Sequence, residues 1–334
     1  MSKYLVAPLN WGLGHASRCV PLIQRFLDEG HEVILGGDGE SLTLLRRQFP
    51  KLRYTYLAPL RLRYSASRRQ VWAMLKALPK LIAWAYKDHA MLQALLREEK
   101  IDRVVSDNRF GLYADGVETV YITHQLHILL PSPWRWLEPL VARLHARIYA
   151  RYNKVWVPDY EEPEKSLAGD LSHIKGQRDK GQCTVSYIGP LSRFSLTAQR
   201  SYSETVLQRS GLTAQRSYTI VAVLSGLEPQ RTLLEKELLA RYRGGEQRVL
   251  LVQGLLNRPA TRIKRGNITI VPSMTDSELV PALLGAQHII ARSGYSTIMD
   301  LETLGLIQKA ELIPTPGQPE QEYLAFWTEK RTSK

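Results

Sequence analysis

Short apolar runs alternate along the chain with stretches in which apolar residues recur every third or fourth position. Tyr4–Pro8 is one such run and predicts a strand. Behind it Ala16–Asp28 sets Val20, Ile23 and Leu27 on one helical face, and Glu32–Leu35 follows the turn Glu29-Gly30-His31 as a second strand. Parallel strands joined in this way need a right-handed crossover. The same alternation predicts a helix over Ser41–Arg47, a strand over Arg53–Leu57, and a long helical stretch over Val71–Glu98 bent or broken near Pro79. Strands over Val104–Ser106 and Thr119–Thr123, a helix over Trp134–Tyr152, and strands over Lys154–Pro158 and Val185–Ile188 complete the first half, with Glu161–Gln182 a polar loop.

Leu196–Tyr202 reads LTAQRSY, and Leu212–Tyr218 repeats it. A single repeat of this kind fits a local duplication in a surface connection. Beyond it the pattern restarts, with strands over Ile220–Leu224, Arg248–Gln253, Ile268–Val271, His288–Ala291 and Glu311–Pro314. Helices are predicted over Gln230–Arg241, Asp276–Leu284 and Thr297–Leu304, and another begins at Pro319–Phe326. Two βα runs define an α/β fold of two Rossmann-like, doubly wound domains, residues 1–190 and 219–334, joined by a linker over 191–218. Ligands of such sheets lie at the carboxyl ends of the strands, which puts the expected site in the interdomain cleft.

Composition narrows the class. The 334 residues suffice for two domains, and 44% hydrophobic with 23% charged residues fits folded globular units. No apolar run approaches the ~18–20 residues of a membrane-spanning helix. Tyr4–Leu9 is too short for a signal-peptide core, so a cytoplasmic protein is expected. Cys19 and Cys183 form no CxxC, and Cys19 reads as a small buried hydrophobe. His124 and His127 lack acidic or cysteine companions at ligand spacing, so no metal site is expected. The formal charge is +13, and Ser41–Lys87 contains no Asp or Glu while holding Arg46, Arg47, Arg53, Arg61, Arg63, Arg68, Arg69, Lys76, Lys80 and Lys87. Such a stretch attracts polyanions.

Four loops carry candidate chemistry, each at the end of a predicted strand. Asn10–His15 contains Gly12 and Gly14 and opens a helix, where backbone can approach a ligand and the helix start favours negative charge. His15 stands where a neutral imidazole can take a hydroxyl proton. A dinucleotide fingerprint with Asp38 or Glu40 as its ribose acid is the rival reading, but Ser17 occupies the place of its third glycine. Arg292–Thr297 offers Ser293, Gly294, Thr297 and helix N–H groups to a diphosphate, with Asp300 one turn on for ribose hydroxyls. Pro314–Glu322 clusters carboxylates and amides suited to sugar hydroxyls, and Leu224-Ser225-Gly226 mirrors Gly12–Gly14 in the second half.

Together the pieces WGLGHASR, SDNR, THQL, IGPLSRF, LSGLEPQR, RSGYSTIMDL and PTPGQPEQEYLA resemble the GT-B glycosyltransferases, and within them the family 28 group that includes MurG, from Leu5 to about Ala325. That resemblance implies a GT-B fold and an inverting, metal-independent transferase that uses UDP-sugars, often UDP-GlcNAc, with no cofactor. It implies His15 as the base within the Gly12/Gly14 loop and Arg292, Ser293, Gly294 and Thr297 as the donor loop. Asp300 would hold ribose, and Gln321 and Glu322 would read the sugar. Ser225 and Gly226 would face the leaving diphosphate, while Asp107, Asn108, His124 and Gln125 would lie on the acceptor side. Two departures are Trp11 with one glycine fewer in the first loop, and a sequence that ends at Lys334, soon after Glu322, where family members continue into further strands and a returning helix.

The expected partners are a nucleotide-sugar donor and an acceptor glycan or lipid-linked sugar. An anionic membrane surface is a further expected partner, reached through Trp72, Leu75, Leu78, Ile82, Trp84 and Tyr86 beside Lys76, Lys80 and Lys87, on the inner face of the membrane. No nucleic acid is expected. The alternatives are a UDP-sugar epimerase of the same architecture and a basic protein that binds nucleic acid or anionic surfaces.

Overall fold

A computed structural model describes residues 1–60, 70–132, 134–173, 183–195, 218–226, 228–256, 258–259 and 261–333, with the backbone alone over 70–76. Most of the LTAQRSY duplication, Arg61, Arg63, Arg68 and Arg69, and the side chains of Trp72, Leu75 and Lys76 lie outside the described residues.

The first sheet has seven parallel strands, β1 (Lys3–Pro8), β2 (Glu32–Gly37), β3 (Arg53–Tyr56), β4 (Arg103–Asp107), β5 (Glu118–Ile122), β6 (Lys154–Val157) and β7 (Thr184–Tyr187), in the order β3-β2-β1-β4-β5-β6-β7. The inner strands carry apolar runs because both faces are covered, as in Tyr4–Pro8 and Val33–Leu35, whereas the edge strands β3 and β7 have no fully buried residue. Tyr4 and Val6 pack with helices α1 (Gly14–Asp28) and α2 (Gly39–Gln48), while Leu5 and Ala7 pack with α3 (Gln70–Glu98). The register carries that second face across the sheet, Ala7 beside Ser106, Ser106 beside Tyr121 and Tyr121 beside Val155. There α4 (Glu138–Tyr149) contributes Tyr149 to the cluster of Tyr121, Tyr152 and Val155, so α3 and α4 lie on one side.

The second sheet contains β8 (Ile220–Val223), β9 (Val249–Val252), β10 (Ile263–Arg265), β11 (Ile268–Val271), β12 (His288–Arg292) and β13 (Ala310–Ile313), in the order β10-β11-β9-β8-β12-β13. Only β10 is antiparallel. Its burial against α5 (Gln230–Tyr242), α6 (Asp276–Leu284) and α7 (Tyr295–Thr303) forms two clusters, one on each face.

The two halves share a core. Ala16, Cys19 and Val20 of α1 belong to the same buried cluster as Tyr295, Ile298 and Met299 of α7 and Leu324 of α8 (Pro319–Thr332). Trp327 Nε1 donates to the Ser166 carbonyl at 2.9 Å, and the Asp170 amide donates to Tyr323 Oη at 2.9 Å.

Four details differ from the expectation. The helix does not break at Pro79, because α3 runs unbroken from Gln70 to Glu98, anchored on its inner side by buried Trp84, Asp88 and Leu92. Trp134–Leu137 is a 3₁₀ turn preceding α4 rather than its first turn. Finally, β10 lies outside every predicted element, since all three of its side chains are exposed and leave no apolar alternation to detect. The last helix continues to Thr332, beyond the stretch to Phe326 that the sequence suggests.

Candidate active site at the helix starts

The first loop of the N-terminal domain meets the β12–α7 turn of the second at the starts of two helices. A Cβ on Gly14, the first residue of α1, would stand 2.7 Å from Ser296 Oγ in the first turn of α7. A side chain at Gly14 would have to displace Ser296. Two helix N-termini thereby converge, and their unpaired N–H groups and dipoles favour an anion near both.

At the same place His15 Nδ1 lies 2.8 Å from Asp107 Oδ1, with the imidazole 16% exposed and the carboxylate fully buried. Asp107 ends β4, next to β1 in the sheet, so topology brings together residues distant in sequence. Arg18, one turn along α1, clamps the carboxylate. Its Nε donates to Asp107 Oδ2 at 2.5 Å and its Nη2 donates to Oδ1. Burial alone would favour neutral Asp107, but the charges of Arg18 and then His15 outweigh it and hold the carboxyl well below the usual range. Cys19 is buried as expected, with Sγ 3.6 Å from Asp107 Oδ2.

His124, on the loop after β5, lies against both. Its Nδ1 is 3.2 Å from Arg18 Nη1 and its Nε2 is 2.8 Å from Glu320 Oε1 at the start of α8. Its ring stacks on Tyr295, centroids 4.1 Å apart and planes 6° apart. Tyr295 Oη in turn donates to the Pro158 carbonyl at 2.7 Å. Burial lowers the His124 pKa against the opposing pull of Glu320. The Glu320 carboxyl is also lowered: burial opposes its ionisation, and the His124 and Gln125 hydrogen bonds outweigh burial. Neutral imidazole beside carboxylate is the state consistent with both directions.

Behind the first loop lies a second buried charge group. Arg109, fully buried, donates through Nε to Asp88 Oδ2 at 2.9 Å and through Nη2 to Asp88 Oδ1 at 2.8 Å. Its Nη1 donates to Asp38 Oδ1 at 3.0 Å, and Asp38 Oδ2 accepts from Asn10 Nδ2 at 3.1 Å. Asn108 adopts left-handed backbone at φ 58° and accepts from Tyr121 Oη at 2.8 Å, pointing into the domain.

The donor-side residues spread over the ends of β8, β12 and β13. Arg292 is committed to the backbone, donating through Nη1 to the Pro314 carbonyl and through Nη2 to the Gln230 carbonyl, both at 2.9 Å. Ser293 Oγ donates to the Gln321 carbonyl at 2.8 Å, Gln321 Oε1 accepts from the Thr315 amide at 2.9 Å, and Glu322 accepts from the Gly317 amide at 3.2 Å. Gly294 caps α7, Thr297 sits partly exposed in its first turn, and Ser225 and Gly226 are exposed at the end of β8, which pairs with β12. Asp300 accepts from Ser192 Oγ at 2.5 Å, and burial, opposed by Arg193 and Ser192, pushes its carboxyl up to about 6. Gly12, at φ 79°, lies in the turn before α1.

Sequence reasoning missed Arg18, Glu320 and Arg109. Arg18 carries a local signal, since a residue three places after His15 shares its helix face. Glu320 lies within the singled-out loop, one place before the chosen pair.

No family model matches the chain. Solved structures similar to it are glycosyltransferases. That of Phytolacca americana UGT2 with UDP-2fluoro-glucose and pterostilbene is 15% identical, with a TM-score of 0.56 over 99% of this chain and 84% of that one. The spinosyn rhamnosyltransferase SpnG is 13% identical, with a TM-score of 0.56 over 99% and 92%. The fold is therefore that of the GT-B glycosyltransferases. Two archaeal proteins bear the name uncharacterized glycosyltransferase. One, from Methanosarcina acetivorans, is 24% identical, and one from Methanosarcina mazei is 22% identical, each over 96% of this chain and 81% of its own length. The chain thus shares its fold with solved glycosyltransferases and is similar in sequence, over most of its length, to two proteins that carry that name.

Proposed function

We propose that the chain is an inverting glycosyltransferase that moves a GlcNAc or related hexose from a UDP-sugar to an acceptor hydroxyl. The observation that carries this reading is the His15–Asp107 pair at the meeting of two helix N-termini. Asp107 accepts a hydrogen bond from Nδ1–H, which leaves the Nε2 lone pair to take the acceptor's proton. As the acceptor oxygen bonds to the anomeric carbon, the bond to the diphosphate breaks on the opposite side and the configuration inverts. Charge developing on the leaving diphosphate meets the helix starts and the Ser296 and Thr297 hydroxyls, stabilisation that calls for no bound metal. The UDP-sugar analogue in the plant neighbour and the likeness to family 28 support the donor class.

Asp300 gives the test of donor binding. Asp300 is half-buried, and a hydrogen bond from a ribose hydroxyl to such a carboxylate contributes roughly 1.5–3 kcal/mol. In a thermal-shift panel of UDP-, GDP-, TDP- and CMP-sugars, UDP-sugars should raise the melting temperature most. Asp300→Ala should fold and lose most of that shift. An undiminished shift in the variant would remove Asp300 from the donor site, and no shift with any nucleotide sugar would remove the reading itself.

The acceptor side fits a membrane-resident, lipid-linked acceptor. Leu78, Ile82 and Tyr86 of α3 are exposed at spacings of one helical turn, as are Trp136, Leu140 and Leu144 on and just before α4. Exposed Lys80, Lys87, Arg135, Arg143 and Arg147 flank them, and both helices lie on one side of the sheet. Trp84 leaves the membrane-facing set named from sequence, because it is buried and its Nε1 donates to the Ala58 carbonyl at 2.8 Å. No helix among the described residues is long and apolar enough to cross a membrane, so contact would be at the surface. Co-sedimentation with vesicles should require anionic lipid and weaken with salt. Equal, negligible binding to neutral and anionic vesicles would leave a water-soluble acceptor in its place.

A further inference from the structure

We propose that Arg18 and His124 couple the Glu320 end of the second domain to the His15–Asp107 pair, so that His15 keeps its proton-accepting form only while Glu320 engages His124. The inference rests on the reading of His15 as base and adds a positioning unit to it.

A guanidinium only donates, so the 3.2 Å contact of Arg18 Nη1 with His124 Nδ1 makes Nδ1 the acceptor. The neutral His124 ring then carries its proton on Nε2 and donates it to Glu320 Oε1 at 2.8 Å. Tyr295, stacked on the ring, fixes its plane. Each link has one direction, and the chain of contacts ends on a residue of the other domain.

Arg18 also meets His15. Its Nη2 lies 2.9 Å from His15 Nδ1, while that same nitrogen lies 2.8 Å from Asp107 Oδ1. Nδ1 cannot serve both. With a proton on Nδ1 it donates to Asp107, and Nε2 is free to act as base. With Nδ1 bare it accepts from Arg18, the proton sits on Nε2, and the base is disabled. The anchor of Nη1 on His124 holds the guanidinium flat against Asp107, where Nε and Nη2 both meet the carboxylate. Without that anchor Asp107 alone holds the guanidinium, and Nη2, already 2.9 Å from His15 Nδ1, can turn toward that nitrogen. Arg18 is 2% exposed, so water offers its N–H groups no substitute.

The test reads ring protonation directly in the full chain labelled with ¹⁵N-histidine, by correlating ring nitrogens with ring protons at neutral pH. The His15 and His124 signals are assigned from their loss in His15→Gln and His124→Gln. In the unmodified chain His15 should be protonated on Nδ1 and His124 on Nε2. Glu320→Ala, a change at a 35% exposed side chain that does not touch His15, should shift most of the His15 population to the Nε2-protonated form. Glu320→Gln keeps an acceptor oxygen for His124 and should restore the unmodified pattern, which a merely structural role would not predict. Arg18→Lys, which cannot span His124 and Asp107 together, should behave like Glu320→Ala. A His15 pattern indifferent to Glu320→Ala overturns the coupling. No substrate is needed, so the coupling and the transferase reading fail separately: tautomer coupling without sugar transfer sinks only the latter, and sugar transfer with an indifferent His15 sinks only the former.

Discussion

Replacing His15 by alanine is expected to lower donor turnover on the order of 10²–10⁴-fold while leaving UDP affinity near that of the unmodified chain. The split follows from the geometry. His15 starts α1 with its ring against Asp107, whereas the groups assigned to the nucleotide belong to the β12–α7 loop. Loss of the imidazole removes the proton acceptor but leaves α7, Ser293 and Asp300 in place. Comparing kcat with UDP affinity by calorimetry separates the two, and near-unchanged turnover in a folded variant would end the assignment of His15 as base.

The second large effect concerns stability. Arg109→Met should destabilise the chain by about 3–5 kcal/mol, because it strands the fully buried Asp88 carboxylate without its cation. Against a typical total of about 5–15 kcal/mol, that change threatens the folded state itself. Arg109→Met with Asp88→Asn should recover much of the loss. Denaturant unfolding of both variants measures this; an Arg109→Met chain as stable as the unmodified one would show that the buried pair does not hold the first loop. Since Asp38 links Arg109 to Asn10, the same substitution should also loosen the loop that carries Gly12 and Gly14.

Much of the fold is legible in the sequence for a physical reason. Strands covered on both faces, such as Tyr4–Pro8, are apolar runs, and the helices between them show one apolar stripe. Where that contrast fails, reading fails with it. The edge strand Ile263–Arg265 exposes every side chain, and Pro79 sits in a helix held by residues further along it. The candidate site is legible as loops but not as partnerships. His15 and Asp107 are 92 positions apart and meet only because β1 and β4 are neighbours. His124 and Glu320 are 196 apart and meet only across the two domains. Arg18 and Arg109 look like ordinary members of a basic chain, and only burial beside carboxylates distinguishes them from solvated arginines. Trp84 shows the reverse error, since an aromatic residue in a basic helix suits a membrane face and a core equally well until its indole is seen donating to Ala58.

The most direct test of the central claim is to follow α-linked UDP-sugars incubated with the purified chain by NMR, with water as the fallback acceptor. The account predicts release of UDP together with a free sugar that appears first as the β-anomer, and loss of both signals in His15→Ala. An intact UDP-sugar altered at a ring carbon, a sugar released first as the α-anomer, or no UDP release from any donor would contradict it.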